Sequence, residues 1–256
     1  MTLDGLRLAV TLLTVVPVRR VAKPADLGGG APGRREAGTA IRWAPVVGLG
    51  LGAVAALVVA GGSAVFGRLT AAALAVAVLA LLTRGLHLDG LADLADGLGS
   101  GRPPAQALEI MRRSDIGPFG VVTLVLTLTI QVAALASAGP YGVAAAVVTG
   151  RLAIVWGCRE GVPAARADGL GAMVAGTVRP AAAWAATAIA VAACAGLAAG
   201  GVASWTLPAA VAAGCAAAVA VSLYVVRRLG GITGDVLGAL AEIAATVCLL
   251  VASASR

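Results

Sequence analysis

Long apolar stretches, separated by short charged or glycine-rich segments, dominate the chain. A helix of about 20 residues crosses the hydrocarbon core of a bilayer with its backbone hydrogen bonds satisfied. Seven stretches of suitable length lie near residues 43–66, 69–86, 118–138, 141–157, 180–200, 205–226 and 236–252. Residues 3–16 form a shorter apolar segment that suits a helix in the membrane interface. The pattern predicts an all-α, polytopic transmembrane helix bundle of about seven spans plus a short N-terminal helix, in one domain over residues 1–256.

The composition excludes an ordinary soluble protein. Of the 256 residues, 60% are hydrophobic and 12% are charged, whereas soluble domains carry about 25% charged residues. In a soluble protein, the net charge of +7 would suggest nucleic-acid binding. Here the basic residues lie between apolar stretches, where they orient a protein in the membrane. We therefore expect the lipid bilayer, and no nucleic acid, as a partner.

Charge also alternates from one connecting segment to the next. Nearly all the charged residues of the connections lie in residues 17–42, 84–117, 158–179 and 227–235. The other connections, 61–68, 138–142 and 200–205, hold only Arg68. Lys and Arg accumulate on the cytoplasmic side of membrane proteins. The sequence therefore predicts a multi-pass membrane protein whose active site faces the cytoplasm.

Cysteine and glycine residues suggest structural roles. The four cysteines, Cys158, Cys194, Cys215 and Cys248, each lie alone in or beside an apolar stretch, without the CxxC spacing of a zinc site. We expect them to be buried, unreactive thiols. Gly48 and Gly52 form a GxxxG pattern that favours close helix packing. Residues 28–33 have the composition of a flexible linker.

The segment from His87 to Gly97 holds the most informative polar residues. On a helix, Asp89, Asp93 and Asp96 would project from one face, because their spacing is i, i+4 and i+7. Clustered carboxylates at membrane depth repel one another and need a neutralising partner. Mg²⁺ fits best, since it binds through a few carboxylates and substrate phosphates. The alternative is a solvated acidic stripe on a helix that has left the bilayer.

A second acidic pair occurs near the end of the chain. Asp235 and Glu242 are seven residues apart, so they share a helix face, and Glu242 falls inside an apolar span. Acidic residues inside a helix bundle mark ion or substrate sites by default. The pair could complete the metal site or hold a second ion. A structural pairing with Arg227 or Arg228 is the alternative.

Basic residues and the only histidine supply further candidates. Arg112, Arg151 and Arg166 could clamp phosphate oxygens, although positive-inside bias also accounts for each of them. A short helix over about 103–113 would bring Glu109 to within pairing distance of Arg112. His87 could transfer a proton or simply pack. The residues alone leave open whether an aspartate or His87 acts as the base.

Two long motifs, in order, resemble the cobalamin synthase family, the adenosylcobinamide-GDP ribazoletransferases. His87–Gly97 matches the family's HLDGLAD..DG run, and residues 230–242 match its second run, GGxTGDxLGA followed by Glu242. The likeness covers nearly the whole chain, with shorter matching segments at 14–18, 43–48, 108–120 and 166–171. One segment departs from the family pattern: Arg113 and Asp115 occupy exchanged positions, which suggests that the two side chains pair with each other or with one shared partner.

The resemblance implies an activity and a set of site residues. The 3′-hydroxyl of α-ribazole, or of its 5′-phosphate, would attack the cobinamide-bound phosphorus of adenosylcobinamide-GDP and release GMP, with Mg²⁺ as cofactor. The implied catalytic residues are His87, Asp89, Asp93 and Asp96. The implied metal ligands are Asp89, Asp93, Asp96, Asp235 and Glu242. The implied substrate-binding residues are Arg112, Asp115, Arg151, Arg166 and Thr233.

Two other classes of protein also use acidic residues in or near the membrane. A CDP-alcohol phosphotransferase needs an Ala-Arg pair where this chain has Asp93 and Leu94. A cation-coupled transporter would show repeat-related broken helices, and the sequence contains no convincing internal repeat. Both classes therefore fit the sequence less well than the transferase family does. The sequence leaves open whether the protein forms a homo-oligomer.

Overall fold

The computed structural model describes residues 2–18 and 33–254, so the predicted linker at 28–33 lies outside the described residues except for Gly33. Within these ranges the chain is helical, with isolated β-bridges but no extended strands. Ten helices run in the order α1 (Leu3–Leu13), α2 (Arg34–Phe66), α3 (Arg68–Leu82), α4 (Leu86–Gly99), α5 (Pro104–Ile110), α6 (Pro118–Gly157), α7 (Gly169–Val174), α8 (Pro180–Ala199), α9 (Thr206–Leu229) and α10 (Gly234–Ser253).

The predicted class of fold, an all-α polytopic membrane bundle, is confirmed. In the described part of the chain, five helices are long and apolar enough to cross a membrane: α2, α6, α8, α9 and α10. The bent pair α3 and α4 would give a sixth span if counted together. One predicted boundary was wrong by several residues: α2 begins at Arg34 rather than near 43. Its charged first turns lack the apolar signal on which the prediction depended.

Helix α6 contains two spans rather than one. A straight helix of its 40 residues would be about 60 Å long, roughly twice the hydrocarbon thickness. Gly139 interrupts it with φ 70° and ψ −167°, directly before Pro140. Gly120 and Gly157 both lie at the end of the bundle where α10 begins, whereas Gly142 lies near the end of α10. The chain therefore reverses at Gly139, as the separate spans 118–138 and 141–157 predicted.

A sharp turn separates α3 from α4 and sets the direction of the acidic helix. The two helices meet at 90°. Arg84 and Gly85 form the turn with φ of 56° and 65°, both in the left-handed region that favours glycine. The predicted span 69–86 therefore ends earlier, at Leu82. After this turn, α4 packs across α10 and α6 instead of continuing along α3.

Small residues allow the helices to pack closely. A Cβ atom on Gly48 would lie 3.2 Å from the Val147 carbonyl oxygen, and one on Gly52 would lie 3.1 Å from Ala144. The GxxxG pattern thus joins α2 to α6, as expected. All four cysteines are free and buried. Burial raises the pKa of the Cys158 thiol, which keeps it protonated and unreactive.

The charged connections meet at one end of the bundle. Arg228 Nη2 donates to the Arg102 carbonyl oxygen at 2.7 Å, which joins the end of α9 to the segment before α5. Arg34 Nη2 donates to the Ala175 carbonyl oxygen at 2.7 Å, which joins the start of α2 to the segment after α7. Arg112 Nη2 donates to Asp168 Oδ1 at 2.6 Å, which joins the segment 84–117 to the segment 158–179. Together the three contacts place parts of all four charged segments on the same side, as the charge alternation predicted.

Candidate functional site at the start of helix α10

Two glycines bring α4 and α10 into backbone contact. A Cβ atom on Gly90 would lie 2.5 Å from the Asp235 carbonyl oxygen, and one on Gly238 would lie 3.1 Å from His87 Cα. Each glycine faces the backbone of the other helix, so no side chain keeps the helices apart. This contact places the aspartates of α4 beside the first turn of α10.

A network of backbone bonds fixes the start of α10. Thr233 Oγ1 accepts a hydrogen bond from the Val236 N–H at 3.2 Å, which caps the helix, and donates to Asp235 Oδ2 at 3.1 Å. The preceding Ile232 exchanges hydrogen bonds of 2.9 Å with the segment 163–165. Thr233 and Asp235 are therefore held in place before any ligand binds.

Four aspartates from the two helices share a negative field. The charges of Asp89, Asp235 and Asp96 all act on Asp93, and Arg166 is the cation that opposes them there. Arg166 Nη1 lies 3.9 Å from Asp235 Oδ2, and its Nη2 donates to the Leu108 carbonyl oxygen. One arginine does not balance this many carboxylates, so the cluster favours a bound cation.

Few side chains at this contact could bind a metal ion directly. Among the described residues, no three side chains of His, Cys, Asp or Glu are close enough together to hold a metal ion. Zinc and calcium sites need more protein ligands than this arrangement offers. Mg²⁺ commonly keeps several waters and takes its other ligands from one or two carboxylates and substrate phosphates. The carboxylates at the α4–α10 contact fit that mode.

An open cavity lies beside this contact. Its volume is about 1010 Å³ when the solvent space at its opening is included. We call it the α10 cavity. Apolar residues of α1 and α2 form part of its wall. The polar side chains that line it are His87, Asp89, Arg166, Asp168, Thr233 and Asp235. Five of these six were predicted as site residues from the sequence, and Asp168 was not.

Asp96 occupies a different place from Asp89 and Asp93. Its side chain is buried, and the residue is 8% exposed. Oδ2 accepts from the Gly117 N–H at 2.7 Å, and Oδ1 accepts from the Gly120 N–H at 2.9 Å. Asp96 therefore caps the start of α6 with both carboxylate oxygens. The sequence predicted that the three aspartates share one helix face. In the structure only Asp89 lies beside the cavity, Asp93 lies nearby, and Asp96 is turned toward α6.

Glu242 and Arg151 lie in a second cavity, on the other side of His87. Glu242 Oε2 accepts from Gln131 Nε2 at 2.8 Å, and its charge acts on Arg151. Glu242 and Arg151 line this cavity with His87 and Gln131, whereas Asp235 lines the α10 cavity. The prediction that Asp235 and Glu242 form one site is thus not met: α4 crosses α10 at Gly238, between them.

The remaining predicted residues lie near the mouth or on the surface. Arg112 Nη2 donates to both oxygens of Asp168, at 2.6 and 2.8 Å. This bond ties the segment after α5 to the rim of the α10 cavity. Arg113 and Asp115 are exposed, and neither belongs to any ion pair within the part of the chain that the structure describes. The predicted pairing of these two side chains is therefore not seen.

Sequence reasoning missed two polar residues with clear roles. Gln131 binds Glu242 and also donates to Thr246 Oγ1 at 3.0 Å. Its signal was an amide inside the apolar stretch 118–138. Asp168 had no comparable signal, because it lies in a charged connection where one acidic residue is unremarkable.

Fold and site together define a polytopic membrane protein with a cavity lined by several carboxylates and by Arg166 at one end of its bundle. A comparison of sequences makes this specific: the chain belongs to the cobalamin-5-phosphate synthase family, whose profile matches residues 5–253. The resemblance seen in the two motifs is thereby confirmed. No solved structure matches the chain.

Several curated relatives carry the same name. The adenosylcobinamide-GDP ribazoletransferase of Frankia casuarinae is 45% identical, over 96% of this chain and 92% of the relative. Those of Nocardioides sp. and Rhizobium etli are 38% and 37% identical, over 96% and 94% of this chain and 97% and 95% of the relatives. These matches favour the transferase over the CDP-alcohol phosphotransferase and transporter alternatives.

Proposed function

We propose that this protein joins α-ribazole, or its 5′-phosphate, to adenosylcobinamide-GDP and releases GMP. The products are adenosylcobalamin, or its 5′-phosphate, and GMP. The names of the relatives support this activity. The observation that carries it is the α4–α10 contact, which sets Asp89, Asp93 and Asp235 near Arg166 beside an open cavity.

In the proposed reaction the ribose 3′-hydroxyl attacks the phosphorus that bears the cobinamide group. The bond from that phosphorus to the bridging oxygen breaks, GMP leaves with the electron pair, and the hydroxyl proton passes to a base at the cavity. Phosphoryl transfer depends mainly on positioning and charge neutralisation. Arg166 is suited to bind phosphate oxygens, because its guanidinium borders the cavity and is already held by Asp235 and the Leu108 carbonyl.

Mg²⁺ is the proposed cofactor, and Asp89 and Asp235, which line the cavity, are the residues that would hold it together with water and substrate phosphates. Asp93 would add negative charge beside them. When bound, Mg²⁺ would neutralise charge on the diphosphate and on the leaving GMP. Asp96 and Glu242 are left out of this set, since Asp96 caps α6 and Glu242 lies in the second cavity. Thr233 keeps Asp235 oriented through its hydroxyl.

We further propose that the protein resides in the cell membrane with the α10 cavity facing the cytoplasm. The support is the asymmetry of charge: the segments that surround the cavity carry nearly all the Arg residues of the connections. Adenosylcobinamide-GDP is large, polar and phosphorylated, so this side gives it direct access.

The test is a reconstitution of the purified, full-length protein in lipid nanodiscs. With adenosylcobinamide-GDP, α-ribazole and Mg²⁺, we expect equal amounts of GMP and adenosylcobalamin. Asp89→Asn should lower the rate at least about 100-fold. Its control is Glu160→Gln, which also removes one exposed acidic charge but lies outside the cavity lining. A folded protein that forms no GMP with either α-ribazole or its 5′-phosphate would refute the proposal.

A further inference from the structure

The α10 cavity has two chemically different walls. Every polar group that lines it comes from α4, from the segment 166–168 or from the start of α10. Helices α1 and α2 contribute only aliphatic side chains. We call this set the α1–α2 wall: Ala9, Leu12, Leu13, Ala40 and Ile41.

Hydrogen bonds and close packing fix the position of the α1–α2 wall. Trp43 Nε1 of α2 donates to the Thr2 carbonyl oxygen at 3.1 Å, just before α1. Beyond the end of α1, the Val15 N–H donates to the Leu82 carbonyl oxygen at 2.8 Å. A Cβ atom on Gly5 would lie 2.6 Å from Thr39 Cγ2, so the two helices touch. Helix α1 is thus fixed at both ends and closes the cavity with an apolar surface.

We propose that the α1–α2 wall binds the aromatic base of the incoming nucleoside and selects it over more polar bases. This inference rests on the proposed function. Phosphoryl transfer at Asp89 and Asp235 requires the ribose of the nucleoside near the polar wall. The base then extends away from these carboxylates, and the lining residues of α1 and α2 carry no polar side chain. The cavity lining also includes Leu86, Ile154, Leu170 and Leu237.

The chemistry of the two bases in the reaction favours this assignment. Guanine has donors and acceptors around its edge, and burying one of them against aliphatic side chains without a partner costs about tenfold or more in affinity. The base of α-ribazole, dimethylbenzimidazole, has no exocyclic polar group and carries two methyl groups at its outer edge. Aliphatic side chains such as Leu13 and Ile41 suit those methyl groups.

The experiment compares two nucleosides in the reconstituted protein. We expect the wild-type kcat/KM for α-ribazole to exceed that for the α-riboside of unsubstituted benzimidazole by about tenfold, from the burial of two methyl groups. Ile41→Ala and Leu13→Ala should reduce this preference to about threefold or less, mainly through KM for α-ribazole. Ile41→Val removes a single methyl group and should give an intermediate ratio, which keeps the test available if Ile41→Ala folds poorly.

The matched control is Leu51→Ala. Leu51 is also in α2 and is 6% exposed, against 4% for Ile41, but it does not line the α10 cavity. The control should keep the wild-type ratio. If the ratio is the same in wild type and all variants, or changes equally in the control, the α1–α2 wall does not bind the base and this inference is overturned. If the wild type converts neither nucleoside, the proposed function itself fails.

Discussion

Gly90 of α4 lies against the backbone of Asp235 at the start of α10, with its missing Cβ only 2.5 Å from the Asp235 carbonyl oxygen. Gly238 makes the reciprocal contact with the backbone of His87. The two acidic motifs of the sequence therefore meet through their glycines. Their aspartates come together because nothing larger than hydrogen separates the helices.

Gly90→Ala should disrupt this contact. The added methyl group meets backbone atoms that cannot rotate away, so we expect a stability loss of about 1–3 kcal/mol and a clear loss of turnover. Gly50→Ala is the control, since a Cβ there meets nothing within 4 Å. Thermal unfolding and GMP release should be measured on both. Equal behaviour of the two variants would contradict the close packing of α4 and α10.

Charge removal should separate the roles of the α4 aspartates. Asp93→Asn relieves repulsion among carboxylates, so it should leave stability unchanged or improved while turnover falls at least about 100-fold at every Mg²⁺ concentration. Asp96→Asn replaces an oxygen that accepts a backbone N–H, so it should cost about 1–3 kcal/mol of stability. Thermal unfolding together with a Mg²⁺ titration distinguishes the two effects. A stable but inactive Asp96→Asn would instead return Asp96 to the metal site.

Glu242→Gln should act on stability rather than on metal binding. The substitution leaves the buried Arg151 without its carboxylate neighbour, so we expect a lower free energy of unfolding. The Mg²⁺ concentration for half-maximal activity should not change. The double variant Glu242→Gln with Arg151→Gln should recover part of the stability. A higher Mg²⁺ requirement at unchanged stability would identify Glu242 as a metal ligand after all.

Cysteine labelling should establish the orientation. The native thiols are buried, so they should give a low background in intact cells treated with a membrane-impermeant reagent. Gly61→Cys and Gly200→Cys, in or beside the connections with few charges, should be labelled. Cysteine at Arg113 or Glu160 should be labelled only after the cells are opened. The reverse pattern would place the α10 cavity outside the cytoplasm.

The exchanged residues Arg113 and Asp115 should prove independent. Both are exposed and neither forms an ion pair in the described part of the chain. In a double-mutant cycle with Arg113→Asp and Asp115→Arg, we expect a coupling below about 0.5 kcal/mol in unfolding free energy. A larger coupling would show that the side chains interact in the working protein.

Sequence periodicity predicted the helices well but not the orientation of each side chain within the bundle. Hydropathy placed most spans to within a few residues, because lipid burial imposes a strong and continuous apolar signal. The prediction that Asp89, Asp93 and Asp96 lie on one helix was also correct. Where Asp96 points, however, depends on the N–H groups of Gly117 and Gly120 in another helix. No local pattern contains that information.

The same limit explains the separation of Asp235 from Glu242. Their spacing indicates a common face, and α10 is indeed helical across both residues. Helix α4 crosses that face at Gly238, however, so Asp235 lines the α10 cavity and Glu242 lines the second cavity. The turn at Arg84 and Gly85 that directs α4 there is a tertiary feature, since arginine seldom adopts a positive φ.

The buried charges of Arg151 and Glu242 also bear on how the chain enters the membrane during synthesis. Arg151 lies in the second half of α6, and Glu242 lies in α10, which is synthesised later. An arginine at the centre of a lone inserting helix costs about 2.5–3.5 kcal/mol. Until α10 emerges from the ribosome, the second half of α6 lacks the nearby carboxylate of Glu242. We therefore expect chains truncated before α10 to hold that segment less firmly in the bilayer.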